Sequence, residues 1–282
     1  MTASLIGLGF MLCHQTLRKI LNQLKIRPRA NAKTLHGPDH EDRDAQFTYM
    51  QWIREHFIRE GQPIISVDAK KRELIGDFKN PGTTWTRDLI EVNDHDFPDQ
   101  ATAKVTPYGI YDVTHNEGAV VVGESANTAE FAVTAIVQWW LKIGQKRWPN
   151  AKKILILADG GSSNGSRNRM WKYALQCDFA DVFGLEVSVC HYPPGASKWN
   201  PVEHRLFAPI TNNWSGIPLR TINTVMDCIQ KTTTQAGLTV KAFHLKDVFL
   251  RGVKVSDSEM ASIDLVRHSL CPSWNYTTMP AL

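Results

Sequence analysis

The order of patterns along the chain predicts an α/β protein, a mixed sheet flanked by helices and preceded by a partial helix-turn-helix. Three observations carry this expectation. Lys153–Ala158 (KILILA) is a continuous apolar run, the kind buried on both faces of a parallel sheet. Short strand patterns crowd into residues 64–122, after which strands alternate with helices to about residue 215. Leu17, Ile20, Leu21 and Leu24 recur at i, i+3, i+4 and i+7, one buried stripe of a short helix that Pro28 would stop.

Taken in order, Ala3–Cys13 is apolar but lacks the basic start and the cleavage site of a secretory leader, so it reads as a helix ending at Gly7–Gly9. Gly9-Phe10 before the 17–24 helix resembles the second half of a helix-turn-helix. Residues 26–45 are polar and read as a linker. Gln46–Glu60 places Phe47, Met50, Ile53 and Phe57 on one helical face. Ile64–Val67 is a strand ending at Asp68, and Leu74–Gly76 is a second. Residues 79–107, rich in Pro, Gly, Asp and Thr, read as a long loop. Ile110–Thr114 and Ala119–Val122 flank a hairpin turn at 115–118, and Thr128–Ile143 is helical. After the 153–158 strand a glycine-rich turn leads to a helix at about 165–177, then a strand at Leu185–Cys190. His191–Trp199 is a Pro/Gly loop, Asn200-Pro201 starts another helix, and Ser256-x-x-Glu259 is a capping box. The expected divisions are 1–36 (partial helix-turn-helix), 37–60 (linker and helix), 61–235 (catalytic core) and 236–282 (C-terminal extension).

Composition narrows the class. With 43% hydrophobic and 21% charged residues in 282, the chain is neither fibrous nor disordered. No apolar run reaches the roughly 18–20 residues of a membrane span. Five cysteines, without Cys-x-x-Cys spacing, read as reduced thiols in a cytosol. Of the net charge of +4, residues 1–38 hold +6 (Arg18, Lys19, Lys25, Arg27, Arg29 and Lys33), leaving −2 on the rest. A basic arm suits a polyanion such as DNA; a solvated basic helix would look the same.

Three carboxylates stand where elements begin or end: Asp68 after the first strand, Asp159 after the 153–158 strand, and Glu203 in the first turn of the following helix. If those strands are parallel neighbours, both aspartates project from the carboxyl edge of the sheet, where open α/β proteins place their sites. Clustered carboxylates repel one another unless cations neutralise them, and hard oxygen donors select Mg²⁺ or Mn²⁺. Two such ions suit phosphoryl displacement. Each acid also has a plain explanation: Asp68 and Asp159 open turns, and Glu203 sits at a helix capping position. Lys70, Lys71, Lys79, Lys198 and Arg205, with Arg18 and Lys19 in the basic arm, are the candidate phosphate contacts. Gly160–Arg167 (GGSSNGSR) approaches a phosphate-cradling loop but lacks its lysine, which speaks against an NTPase. His191 and His204 lack zinc-ligand spacing with the cysteines and read as structural or supporting residues.

Several stretches carry a family resemblance: SVDAKK at 66–71, GDFKN at 76–80, YDV at 111–113, NEG at 116–118, ADGGSSNG at 158–165 and, most specifically, HYPPGASKWNPVEHRLF at 191–207. They resemble the Rhodopirellula-type (ISAzo-type) DDE transposases of bacterial insertion sequences, from about residue 10 to Trp274-Asn275-Tyr276. The resemblance implies an RNase H-like core with Asp68, Asp159 and Glu203 as catalytic metal triad. It also implies cleavage at insertion-sequence ends, strand transfer into target DNA, and a homo-oligomer on DNA in the bacterial cytoplasm, associated with the nucleoid when bound. Against that family the chain starts inside what would be a helix-turn-helix, as a truncated copy would. The alternatives are a DNA-binding copy without catalysis and an RNase H-fold nuclease without strand transfer.

Overall fold

The computed structural model of the chain describes residues 2–27, 40–94 and 97–281. Two compact units divide at Pro38 and Asp39. In the first, α1 (Thr2–Gly7) and α2 (His14–Gln23) are short helices. The Cys13 thiol caps α2 by accepting from the Thr16 N–H at 3.4 Å. Leu17 is the buried residue of the expected stripe, while Leu24 is 63% exposed. α2 ends at Gln23, ahead of the expected stop at Pro28, and Lys25 takes a positive φ of 59° just beyond it. Pro28, Arg29, Lys33 and most of the expected linker lie outside the described residues.

The second unit is built on a nine-stranded mixed sheet. Its strands are β1 (Ile64–Ala69), β2 (Glu73–Ile75), β3 (Ala103–Asp112), β4 (Glu117–Gly123), β5 (Lys153–Ala158), β6 (Glu186–His191), β7 (Thr239–Leu245), β8 (Leu265–Arg267) and β9 (Asn275–Thr278). The order across the sheet is β7-β4-β3-β1-β5-β6-β9-β8, with β2 paired to β3. β3 is antiparallel to β1 and β4, whereas β5 and β6 run parallel to β1, as alternation of strands with crossover helices requires. The central order β4-β3-β1-β5-β6, with only β3 reversed, is that of an RNase H-like core. β7 adds a parallel strand beside β4, and β9 an antiparallel one beside β6, so segments beyond residue 235 complete both flanks.

Helices cover both faces. They are α3 (Arg43–Arg59), α4 (Ala129–Trp139), α5 (Gln145–Arg147), α6 (Arg169–Ala174), α7 (Asp181–Phe183), α8 (Ala208–Asn213), α9 (Ile222–Gln230) and α10 (Asp257–Ala261). Wider π turns join α4 to α5 (Trp140–Gly144) and α6 to α7 (Leu175–Ala180), and another precedes α8 (Glu203–Phe207). On one face, α4 and α6 bury Phe131, Ile136, Trp139 and Trp171 against Ile65, Val67, Ile154 and Ile156. On the other, α3 seats Met50, Ile53 and Phe57 on Ile64, Leu155 and Leu157. Beside α3, Val202, Leu206, Phe207 and Ile210 pack on Tyr111, Val120 and Val122. The alternation of β1 thus sends Ile65 and Val67 to one layer, and Ile64, Ser66 and Asp68 to the other.

Two sequence expectations change. The loop of 79–107 is shorter, because β3 already begins at Ala103. Pro107 lies inside β3, and its carbonyl accepts from the Lys70 N–H at 2.8 Å, just past the end of β1. A strand residue points its N and C=O the same way, so the missing N–H would face Lys70 and costs only the last bond of the β1–β3 ladder. The helix expected from residue 165 begins at Arg169, capped by Asn168, whose Oδ1 accepts from the Trp171 N–H at 3.3 Å. Elsewhere the 153–158 strand and the Ser256–Glu259 capping box stand as expected.

The segment 202–207 approaches the sheet closely because Gly109 has no side chain. A Cβ there would lie 2.6 Å from Phe207 Cε1 and 2.9 Å from Val202 Cγ2. Gly109→Ala is therefore expected to cost about 1–3 kcal/mol by overpacking and to lower Tm by roughly 3–10 °C. Adding Phe207→Leu should recover part of the loss in thermal melts. An unchanged Tm in Gly109→Ala would contradict the close packing.

Candidate active site

Asp68 and Asp159 are brought together by strand register alone. β1 and β5 pair in parallel, with Val67 opposite Ala158 as the last registered pair. Each aspartate is the next residue, so the two acids leave neighbouring strands at the same edge, where strands lie about 4.8 Å apart. By alternation both belong to the layer of Ile64, Ser66, Leu155 and Leu157. Gly109 is the antiparallel partner of Asp68, and its bare backbone leaves room for the segment that carries Glu203.

That segment is fastened to β1 by a buried polar clamp. Ser66 Oγ donates to Asn200 Oδ1 and accepts from the Val202 N–H at 3.0 Å. Asn200 Nδ2 donates to the Val67 carbonyl at 3.3 Å. Ser66 and Asn200 are fully buried, where unpaired polar groups would be costly, so the clamp fixes one docking position. Asn200 is thus turned into the sheet instead of capping the helix with its side chain. Its backbone carbonyl accepts from the Glu203 N–H at 3.1 Å, and Glu203 begins a π turn, a geometry frequent at functional sites.

The acids sense one another. Asp68 is 8% exposed, and its carboxyl pKa is pushed up to about 8. Burial is the largest cause, followed by the charge of Asp159 and then by a hydrogen bond that the protonated Asp68 donates to Glu203. The Ala69 N–H opposes the shift by donating to Asp68 Oδ1 at 2.7 Å. Asp159, half-buried, is raised by burial and by Glu203, against a contact from the Gly161 N–H at 3.3 Å. The acids gather in this pairwise fashion. Among the described residues no three His, Cys, Asp or Glu side chains already close around one point as a finished cation cage. The donor set nevertheless fits a hard divalent cation: all ligands are carboxylate oxygens, and their mutual repulsion is what such an ion would relieve.

The cationic candidates divide. Lys70 Nζ is held 2.5 Å from Glu73 and lies 4.8 Å from the Trp214 ring centre, so its charge is already paired. Lys71 is exposed and shares a groove of about 560 Å³ with Lys70 and Glu203. Lys198 and Arg205, both exposed, flank Glu203 in sequence. Lys79 is exposed in the 76–102 loop, and no described contact ties its side chain to the acids. Arg18 and Lys19 are exposed on α2 of the first unit.

His191 and His204 are both used in scaffolding contacts. Buried His191 lies between the carbonyls of Trp274 and Asn164, at 2.9 and 2.7 Å, and His204 bonds the Lys198 carbonyl. The glycine-rich turn is built inward. Asn164 is buried, and its Oδ1 accepts from the Tyr108 hydroxyl at 3.0 Å and from Ser163 at 3.1 Å. Ser66, Asn200 and Tyr108 were missed in the sequence. Ser66 could have been found, since it stands two residues before Asp68 and so shares its face.

An acid with a raised folded pKa binds a proton that the unfolded chain releases near pH 4, so native stability falls as pH rises from about 4 towards 8. In chelator, Tm should therefore decline between about pH 5 and about pH 8. Asp68→Asn, which cannot ionise, should flatten that decline and raise Tm by several degrees at the alkaline end. The same pH slope in both proteins would contradict the coupling.

Comparison with curated proteins finds no match. Among solved structures, the Mos1 transposase paired-end complex with left transposon end is 12% identical. The alignment covers 76% of this chain and 60% of that one, at a TM-score of 0.46. The Mos1 mariner paired-end complex with Mn is 13% identical, covering 77% and 62%, at a TM-score of 0.48. The chain thus spans about three fifths of the length of those transposases. The model of the Rhodopirellula transposase DDE domain matches residues 1–280, and this chain belongs to that family.

Proposed function

We propose that this chain is a DNA transposase that cuts phosphodiester bonds at insertion-sequence ends and joins the freed 3′-hydroxyl to target DNA. The observation that supports the proposal is that Asp68 and Asp159 leave neighbouring parallel strands at one sheet edge, with Glu203 raising the pKa of each from a third element. These residues would hold the divalent cations, Mg²⁺ or Mn²⁺ and two in number, which when bound supply activation of the attacking oxygen and charge neutralisation at the leaving oxygen.

The chain's own residues do the rest. Asp68 is aimed by the Ala69 N–H and must surrender the proton it shares with Glu203 before all three acids can serve as ligands. The Ser66–Asn200 clamp fastens to β1 the segment that carries Glu203. Lys71, Lys198 and Arg205 offset the repulsion between the acids and an approaching phosphodiester backbone. The basic arm, with Arg18 and Lys19 on α2, adds sequence-independent affinity. Cleavage and joining at two element ends call for a homo-oligomer on DNA, working in the bacterial cytoplasm and on the nucleoid while bound.

A strand-cleavage assay on DNA carrying the element ends, with wild type beside Asp159→Asn, tests the proposal. Cleavage should require Mg²⁺ or Mn²⁺, and the variant should lose at least about a thousandfold in rate, the scale of removing a principal transition-state charge partner. Equal rates would overturn the assignment. Nicked products without joined ones would reduce the activity to that of a nuclease, and salt-dependent binding without cleavage would leave a DNA-binding protein.

A further inference from the structure

A pocket of about 470 Å³ lies between α3 and the 192–199 loop, apart from the three acids. Its walls are aromatic: Phe47 stands 6.3 Å from Tyr192 and 6.1 Å from Trp199, centre to centre. Trp199 is 55% exposed. The rim is polar. Gln51 Nε2 donates to Glu55 at 3.0 Å, leaving the Glu55 carboxylate with acceptor capacity to spare. The Nε of Arg54 is buried with no hydrogen-bond partner among the described residues. Lys198 Nζ lies 5.4 Å from the Trp199 ring centre.

A ring that can stack, donors and acceptors at the edge, and a cation beside Trp199 together match a nucleotide. Its base would stack on the exposed Trp199 ring, its edge would meet Arg54, Gln51 and Glu55, and its phosphate would face Lys198. The size lies within the usual range for small-ligand sites. A base within a duplex keeps its faces covered by its neighbours, so the pocket suits an unpaired one. Tyr192 joins the two places, since it also lines the cleft of about 730 Å³ that contains Asp159. Trp199, in turn, directly precedes the clamp residue Asn200.

We infer that this pocket takes an unpaired nucleobase of the DNA strand lying in the Asp159 cleft, and so holds a frayed or single-stranded end in place. The inference rests on the DNA-transposase reading above and adds a site for one nucleotide. It assigns Trp199 and Arg54 to binding one base.

The test uses the full chain in chelator with two probes: a short duplex whose single-stranded end carries 2-aminopurine, and the same duplex with blunt ends. The wild type should bind the first about tenfold more tightly, within the range of base–aromatic stacking, and should change the probe's fluorescence. Trp199→Ala should abolish the preference and the fluorescence change while leaving blunt-duplex affinity intact. Trp199→Phe should keep most of both, and Arg54→Gln should weaken the preference alone. Retained blunt-duplex binding also shows that each variant is folded. Equal affinity of the wild type for both probes overturns the pocket but leaves the transposase reading standing, and so does an equal loss of both in Trp199→Ala. A chain that binds neither probe overturns both. A preference that survives Trp199→Ala would mean that the unpaired base is held elsewhere, and it too overturns the pocket.

Discussion

The structure turns on the fastening of one helical segment across one strand. Ser66 and Asn200 are fully buried and hydrogen-bonded to each other, to the Val202 N–H and to the Val67 carbonyl. Apolar packing of Leu206, Phe207 and Ile210 would hold the segment to the sheet but would tolerate sliding. Directional bonds with no water to replace them do not. Gly109 is the steric counterpart of this clamp: only a bare backbone lets Phe207 settle so near the strand. Without that docking, Glu203 would share no space with the aspartates, whose own proximity follows from parallel register.

Bringing three carboxylates together opposes folding, and the molecule meets that opposition with a proton. Asp68 holds one up to about pH 8 because burial, the charge of Asp159 and a bond to Glu203 all favour its neutral form. In the proposed function a cation would have to displace that proton, which would link folding, pH and ion binding chiefly through Asp68. Nearby cations do not all take part. Lys70 is committed to Glu73 and lies by Trp214, whereas Lys71, Lys198 and Arg205 are exposed and, in the proposed function, would meet an incoming polyanion.

Much of this was legible in the sequence, for definable reasons. Lys153–Ala158 has one residue class throughout, so its burial on both faces could be read directly, and Asp159 after it marked a sheet edge. The matched stretches 66–71 and 191–207 named the acids. Less visible was whatever depends on distant partners. Residues 79–107 read as loop because they are rich in Pro, Gly, Asp and Thr, yet β3 begins at Ala103 and tolerates Pro107 at the end of its ladder with β1. β8 and β9 are three and four residues long, too short for a periodic signal, and they exist by pairing at the flank of β6. Asn200 before Pro201 looked like a helix cap, since the strand it reaches lies more than a hundred residues away. Lys70 was counted as a free cation although Glu73 stands three residues on.

The convergence of the acids is tested most directly by calorimetric titration of Mn²⁺ into the full chain near neutral pH, in buffers of different ionisation enthalpy. Binding should release about one proton per chain, the one held by Asp68, and Asp68→Asn should bind without that release. Asp159→Asn and Glu203→Gln should each weaken affinity by about tenfold or more. Mn²⁺ bound equally well by all four proteins, with no proton released by the wild type, would mean that the three acids do not form one cation site.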